Sequence, residues 1–251
     1  MQTDQGSLER AVQGQYNINI GEVLAESWQK VSGAKLKIVG GLIIYSILAL
    51  LVSALFSFFL DAEPYYRAAG VYDENALFYT SELFYKGTFI DMLKSWLAFP
   101  ITVPLSLGVL LLGYARANDE ALKVDTIFNY YTYVWPLVFA AFLTAILTYI
   151  GFLFFLLPGI YLSIAYSFTL PLIVDKKLDV WAAMEVSRQA VTKQWFSVFG
   201  IFVILGIITM LSAIPMGIGL IWSIPLLMIA HGVMYRKIFG WNIHDPLAEE
   251  G

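Results

Sequence analysis

The chain alternates long uncharged apolar runs with shorter segments that hold nearly all of its charges. A helix needs roughly 20 apolar residues to cross a hydrocarbon core about 30 Å thick, because its backbone polar groups must be satisfied internally there. Stretches of that kind occupy residues 38–60, 96–115, 134–157, 196–214 and 216–235, and a shorter one occupies 159–174; none contains Asp, Glu, Lys or Arg. Pro158 and Gly159 interrupt an apolar region too long for one crossing, which predicts a tight turn between two spans there. The pattern predicts an all-α polytopic membrane protein with six transmembrane helices. Its parts are a polar N-terminal tail over 1–19, one membrane domain over 20–240 with an outer cap at 61–95, and a C-terminal tail over 241–251.

Three of the polar segments carry a helical period. Ile20, Leu24, Ser27 and Val31 are spaced i, i+4, i+7, i+11, which is one helix face. Val124, Phe128, Tyr131 and Trp135 repeat the spacing before the third apolar run, and Val180, Met184, Ser187 and Val191 repeat it before the fifth. Asn19, Asp125 and Asp179 stand at or near the starts, where a side-chain oxygen caps free N–H groups. The second, fourth and sixth runs share a hydroxyl, apolar, proline, leucine motif: Thr102 with Pro104, Thr169 with Pro171, and Ser223 with Pro225. Proline frees a carbonyl one turn back, so these residues are candidates for helix kinks, or for lining a path between kinked helices. Tyr114 and Tyr235 each follow their proline by ten residues, whereas Asp175 follows Pro171 by four. The repeating unit read here is an interfacial amphipathic helix plus a two-helix hairpin, used three times.

Charge then orients the picture. With six spans, both ends and the links 115–133 and 175–195 share one face, which collects twelve of the fifteen Lys and Arg residues; the other face has only Arg67, Lys86 and Lys94. The positive-inside rule puts the twelve in the cytoplasm, with both termini. The cap holds six acids and the aromatics Tyr65, Tyr66, Tyr72, Phe78, Tyr79, Phe84 and Tyr85, which suit a headgroup layer. Hydrophobic residues make up 59% of the chain and charged ones 14%, a balance that cannot cover a soluble surface. The net charge of −4 excludes a basic field for nucleic acid.

Chemistry is sparse. With no cysteine and two histidines, His231 and His244, the sequence shows no nucleophile beside a base, no metal-ligand spacing and no cofactor motif. His231, alone in the last run, reads as a helix–helix hydrogen-bonding partner. Asp175, Lys176, Lys177 and Asp179 read as a charged helix end anchored against anionic lipid. Leu157-Pro158-Gly159-Ile160-Tyr161, Leu170 to Asp175, the Ala183 to Val191 helix, Gly217-Ile218-Gly219 and Pro225-Leu226 together resemble a group of uncharacterised bacterial six-pass membrane proteins. That group is similar to the membrane domain attached to some glycerophosphoryl diester phosphodiesterases. The resemblance implies a membrane fold without the catalytic domain and no established activity. The expected role is a non-enzymatic scaffold, assembly partner or envelope modulator whose partners are lipids, another membrane protein or a second copy. Transport of a small or lipid-like molecule is the alternative.

Overall fold

The structure, a computed structural model, describes residues 6–68 and 81–242, and among them every regular element is helical. The helices are α1 (Leu8–Gln13), α2 (Ile20–Val31), α3 (Lys35–Phe59), α4 (Glu63–Ala68) and α5 (Ser81–Ala117), then a 3₁₀ segment (Val124–Tyr133), and α6 (Val134–Phe154), α7 (Leu156–Ala165), α8 (Thr169–Asp175), α9 (Val180–Lys193), α10 (Trp195–Ala213) and α11 (Leu220–Phe239). Among the described residues, five stretches are long and apolar enough to cross a membrane: Lys35–Phe59, Tyr85–Ala117, Val124–Phe154, Leu156–Asp175 and Trp195–Ala213. The expected sixth, 216–235, is not among them. Its place is taken by α11, which carries Arg236 and Lys237 in its last turn and buries twelve residues from Ser223 to Phe239, so it is the central helix of the packed body.

The amphipathic helices form as their caps dictate. Asn19 Oδ1 accepts from the Glu22 N–H at 3.1 Å to start α2, and Asp179 Oδ1 accepts from the Ala182 N–H at 2.9 Å to start α9. Ser27 and Val31 are buried on α2 with Ile20 and Leu24 half-buried; Met184, Ser187 and Val191 are buried on α9 with Val180 half-buried. The middle unit departs from the expected face. It is a 3₁₀ segment with three residues per turn, so Val124, Ile127, Tyr130 and Tyr133 align, only Ile127 is fully buried, and Phe128 and Trp135 are 46% and 72% exposed. Asp125 does not cap it, since no side chain bonds the N–H groups at its start. A close approach holds it: a Cβ on Gly108 of α5 would lie 2.3 Å from the Ile127 carbonyl oxygen.

Two other boundaries move. The turn expected at Pro158-Gly159 lies instead at Phe155, whose extended backbone (φ −164°, ψ 155°) separates α6 from α7. Pro158 falls in the first turn of α7, where a missing N–H costs no helical hydrogen bond. Gly159 packs so tightly on the Phe152 ring that an added Cβ would stand 2.3 Å from it. The expected cap over 61–95 gives up its second half to α5, a 37-residue helix about 55 Å long. No proline separates Ser81 from Phe99, and two of the charges that read as extramembrane are paired on the helix, Lys94 Nζ with Asp91 Oδ1 at 2.5 Å. The Tyr66 hydroxyl of α4 donates to Asp91 Oδ2 at 2.7 Å. Tyr72, Phe78, Tyr79 and the side chain of Phe84 lie outside the described residues.

Burial divides the molecule. Around α11 sit the last half of α5, α2, α10, the start of α3 and α1, with the end of α8 joined to it through Asp175, tightly packed and rich in polar contacts. Away from this polar end the helices expose large apolar side chains: Leu50 and Phe58 on α3, Tyr149 and Leu153 on α6, Leu157 on α7, Ile207 and Met210 on α10. Contiguous apolar exposure on this scale marks contact with lipid or another apolar surface.

Candidate functional site

Where α5, α8 and α11 converge, the polar end encloses a cluster of titratable side chains. Tyr114, one turn from the end of α5, reaches His231 of α11, with its hydroxyl 2.6 Å from Nδ1. One turn further along α11, the Tyr235 hydroxyl donates to Asp175 Oδ2 at 2.7 Å. Asp175 ends α8; its Oδ1 accepts from the Asn242 N–H at 2.9 Å, and Lys176 Nζ stands 3.0 Å from Oδ2. Trp241, just beyond α11, donates from Nε1 to Glu120 Oε1 at 2.7 Å. Aromatic rings seal the group: Phe168 stacks on His231 with centroids 4.5 Å apart, and Tyr114 and Tyr235 lie 5.1 Å apart.

Glycines make the close approach possible. A Cβ on Gly113 would lie 2.6 Å from the Met228 backbone carbon, and one on Gly232 would lie 2.7 Å from the Tyr114 Cα. Small residues at a helix crossing let the backbones touch, so the side chains on either side reach each other.

The sequence-predicted positions fall in several places. His231 does bridge two helices, through Tyr114. Asp175 and Lys176 do not anchor to lipid: the Asp175 side chain is fully buried and that of Lys176 is 6% exposed, turned inward as its counter-charge. Lys177 and Asp179 are exposed. Pro104, Pro171 and Pro225 are buried, Thr102 is half-buried, and Thr169 and Ser223 are 1% and 2% exposed. Thr102 Oγ1 donates to the Ala98 carbonyl at 3.1 Å within its own helix, and the Tyr131 hydroxyl supports the neighbouring Ile101 carbonyl at 2.7 Å. The hydroxyls of Thr169 and Ser223 have no hydrogen-bond partner among the described residues. No hydrogen bond there joins the three hydroxyls to one another. Two repeat serines also differ in use: Ser27 Oγ donates to Val23 of its own helix at 2.6 Å, whereas Ser187 Oγ donates to the Ala165 carbonyl at 2.7 Å, left open where α7 breaks from α8.

Sequence reasoning misses Tyr114, Tyr235 and Glu120: the two tyrosines enter it only as markers of where the proline-bearing runs end. The three proline-bearing segments end on Tyr114, Asp175 and Tyr235, and these ends meet.

Around the cluster, ion pairs and a strap fasten the polar end. Arg236 pairs with Glu26 at 2.6 Å, Lys30 with Asp119 at 2.7 Å, and Arg116 Nε donates to the Lys30 carbonyl at 2.9 Å. The N-terminal segment crosses this end: the Gly6 N–H donates to the Arg236 carbonyl at 3.1 Å, the Ile18 N–H to Gln194 Oε1 at 2.9 Å, and the Tyr16 hydroxyl to the Ala190 carbonyl at 2.6 Å. Burial pushes the Tyr16 phenol up to about 12, against the lowering effect of its hydrogen bonding beside Gln194. On α9 the Arg188 guanidinium holds the Glu185 carboxyl below its usual range through a 2.6 Å hydrogen bond.

Chemically, the cluster offers a carboxylate, two phenols and an imidazole already engaged with one another and with backbone. A separate apolar groove of about 370 Å³ opens between α5 and α6, walled by Trp96, Phe99, Phe142, Ala145, Ile146 and Tyr149. No protein-family model, curated protein or solved structure matches this chain.

Proposed function

We propose that the chain is a multi-pass protein of the bacterial cytoplasmic membrane, with both termini in the cytoplasm, that acts as a scaffold, assembly partner or envelope modulator and not as an enzyme. The observation that carries this reading is the contrast between its two ends. Inside the polar end, Asp175, Tyr235, Tyr114 and His231 are engaged by neighbours and sealed by rings, which holds helices in place and leaves no open reacting centre. Outside it, the helices present apolar side chains such as Leu50, Leu153 and Met210, which suit lipid and other membrane helices. The orientation rests on the twelve-to-three distribution of bases. The three-unit repeat is supported by the order of elements, since α2, the 3₁₀ segment and α9 each precede an apolar helix. The six-pass resemblance agrees with this reading and adds no activity to it.

Transport is the second reading, and one observation favours it: Thr169 and Ser223 bury hydroxyls without partners, which a permeating molecule could use. Cross-linking in native membranes followed by mass spectrometry of the complex released in mild detergent separates the two. The scaffold reading predicts a stoichiometric membrane protein, second copy or lipid that survives Thr169→Val with Ser223→Ala. A chain recovered alone, which in liposomes passes a solute that the double variant does not pass, would replace it with transport.

A further inference from the structure

The hairpin formed by α10 and α11 is too shallow to reach the far side of a bilayer. Lys35, the first residue of α3, places its ammonium 4.7 Å from the centre of the Trp222 ring, in the first turn of α11. A hairpin that crossed the membrane would carry Trp222 to the opposite face from Lys35, at the other end of a 25-residue helix about 37 Å long. A lysine ammonium stays at or outside the headgroup layer, and a tryptophan beside it is an interfacial residue. Met216, in the turn, is only six residues from Trp222, and the chain doubles back there, with Gly219 packed against Ser212 at the end of α10.

The other arm of the hairpin gives the same depth. Phe202 of α10 lies 5.6 Å from the His231 ring, which bonds Tyr114 near the polar end of α5. From Phe202 to the end of α10 at Ala213 is about 16 Å, roughly half of a 30 Å core.

The turn is also built for hydrocarbon. Ile214, Met216 and Ile218 are 74%, 95% and 59% exposed, and residues 213–216 are exposed consecutively around the turn. A protein partner covers one side of such a tip; a surrounding solvent of acyl chains covers all of them. Most of its backbone N–H groups are satisfied internally, Gly217 to the Ala213 carbonyl at 2.9 Å, Ile218 to Pro215 at 3.1 Å and Leu220 to Gly217 at 3.0 Å, as immersion in lipid favours. No charged residue occurs from Trp195 to Tyr235.

We infer that α10 and α11 form a re-entrant hairpin whose apolar tip, Ile214 to Ile218, is embedded among the acyl chains of the leaflet on the polar-end side. This rests on the membrane reading above. The full crossings are then α3, α5, the Val124–Phe154 segment and the Leu156–Asp175 segment. Their number is even, so the termini still share a face with the links 115–133 and 175–195, while the last two apolar runs contribute one hairpin to one leaflet.

The chain has no cysteine, so single-cysteine probes need no background removal. Met216→Cys, with Ile218→Cys as a second probe and Lys177→Cys as the polar-end marker, is treated with membrane-impermeant maleimide from each side of sealed vesicles. The tip cysteines should resist reaction from both sides and react after detergent is added. A spin label on them should collide with oxygen at least severalfold more than with a water-soluble nickel chelate. Reaction from the side opposite Lys177→Cys would show a spanning hairpin and overturn the inference. Reaction from the same side as Lys177→Cys, or a disulfide-linked dimer shielding the tip from oxygen, would overturn it equally. Alkaline carbonate extraction of the same vesicles tests the underlying reading separately: release of the chain would sink both.

Discussion

Replacing Gly113 by alanine perturbs the crossing of α5 and α11 at its closest point. The new Cβ would stand 2.6 Å from the Met228 backbone carbon and Cβ, whereas ordinary contact begins at 3.4 Å, so α11 must retreat by about 0.8 Å. The obstacle is largely backbone, which a side-chain rotation cannot relieve. Tyr114 and His231 meet across this crossing at 2.6 Å, and the same retreat brings their contact to the edge of hydrogen-bonding range. Overpacking costs about 1–3 kcal/mol and the weakened hydrogen bond about 1 kcal/mol, offset by up to about 1 kcal/mol from replacing a helical glycine. The net expectation is a loss of about 1–3 kcal/mol. Gly206→Ala on α10 is the control, because nothing lies within 4 Å of its added Cβ and only the helix-propensity gain of about 0.5–1 kcal/mol remains. Thermal unfolding in detergent, followed by intrinsic fluorescence, should separate the two variants by about 5 °C or more, with Gly113→Ala below the parent and Gly206→Ala at or above it. A Gly113→Ala protein as stable as the parent would refute the close crossing.

Other substitutions probe the surrounding parts. Asp175→Asn leaves the inward-turned Lys176 without its counter-charge and should cost about 3–5 kcal/mol, far more than Lys177→Gln on the exposed neighbour; equal effects in the same unfolding assay would place Lys176 outside the interior. Ser187→Ala strips the Ala165 carbonyl of its α9 donor at the α7–α8 break, with an expected loss of about 1–3 kcal/mol, whereas Ser27→Ala removes only a bond within its own helix and should cost less. The Tyr16 phenol, raised from 10 to about 12 in the fold, holds the strap in its neutral form; that contribution is complete below pH 10 and is lost as pH rises toward 12. A spin label at Gln13→Cys should therefore gain mobility between pH 10 and 12, and Tyr16→Phe should remove that step; a step that persists in Tyr16→Phe would assign it elsewhere.

Much of the fold is legible in the sequence because a bilayer asks for one simple pattern. Uncharged runs mark α3, α6 and α10 within a few residues, and Asn19 and Asp179 mark the starts of α2 and α9. The failures share a cause: hydropathy reports what is apolar, not what surrounds it. The 216–235 run reads as a lipid-facing span, yet α11 is apolar because protein packs around it. The 61–95 segment reads as a cap from its six acids, three bases and aromatics, yet Lys86, Asp91 and Lys94 ride on a continuous helix where Asp91 and Lys94 neutralise each other. The spacing over 124–135 reads as a 3.6-residue period, but the backbone from Val124 to Tyr133 winds at three residues per turn, which takes Phe128 off the buried face, and Trp135 falls in α6 with its side chain exposed. The buried cluster is not legible in the sequence: Tyr114, Asp175 and Tyr235 stand only near the ends of the proline-bearing runs, and the tertiary crossing at Gly113 and Gly232 is what brings them together.

The central claim is a multi-pass chain whose interlocked polar end and both termini share the cytoplasmic face. Paired reporter fusions after Glu74 and after Lys177 test it most directly, and four crossings plus a re-entrant hairpin predict the same pattern as six crossings. A reporter active only outside the cytoplasm should be on after Glu74 and off after Lys177. Activity after Lys177 with silence after Glu74 would contradict the account.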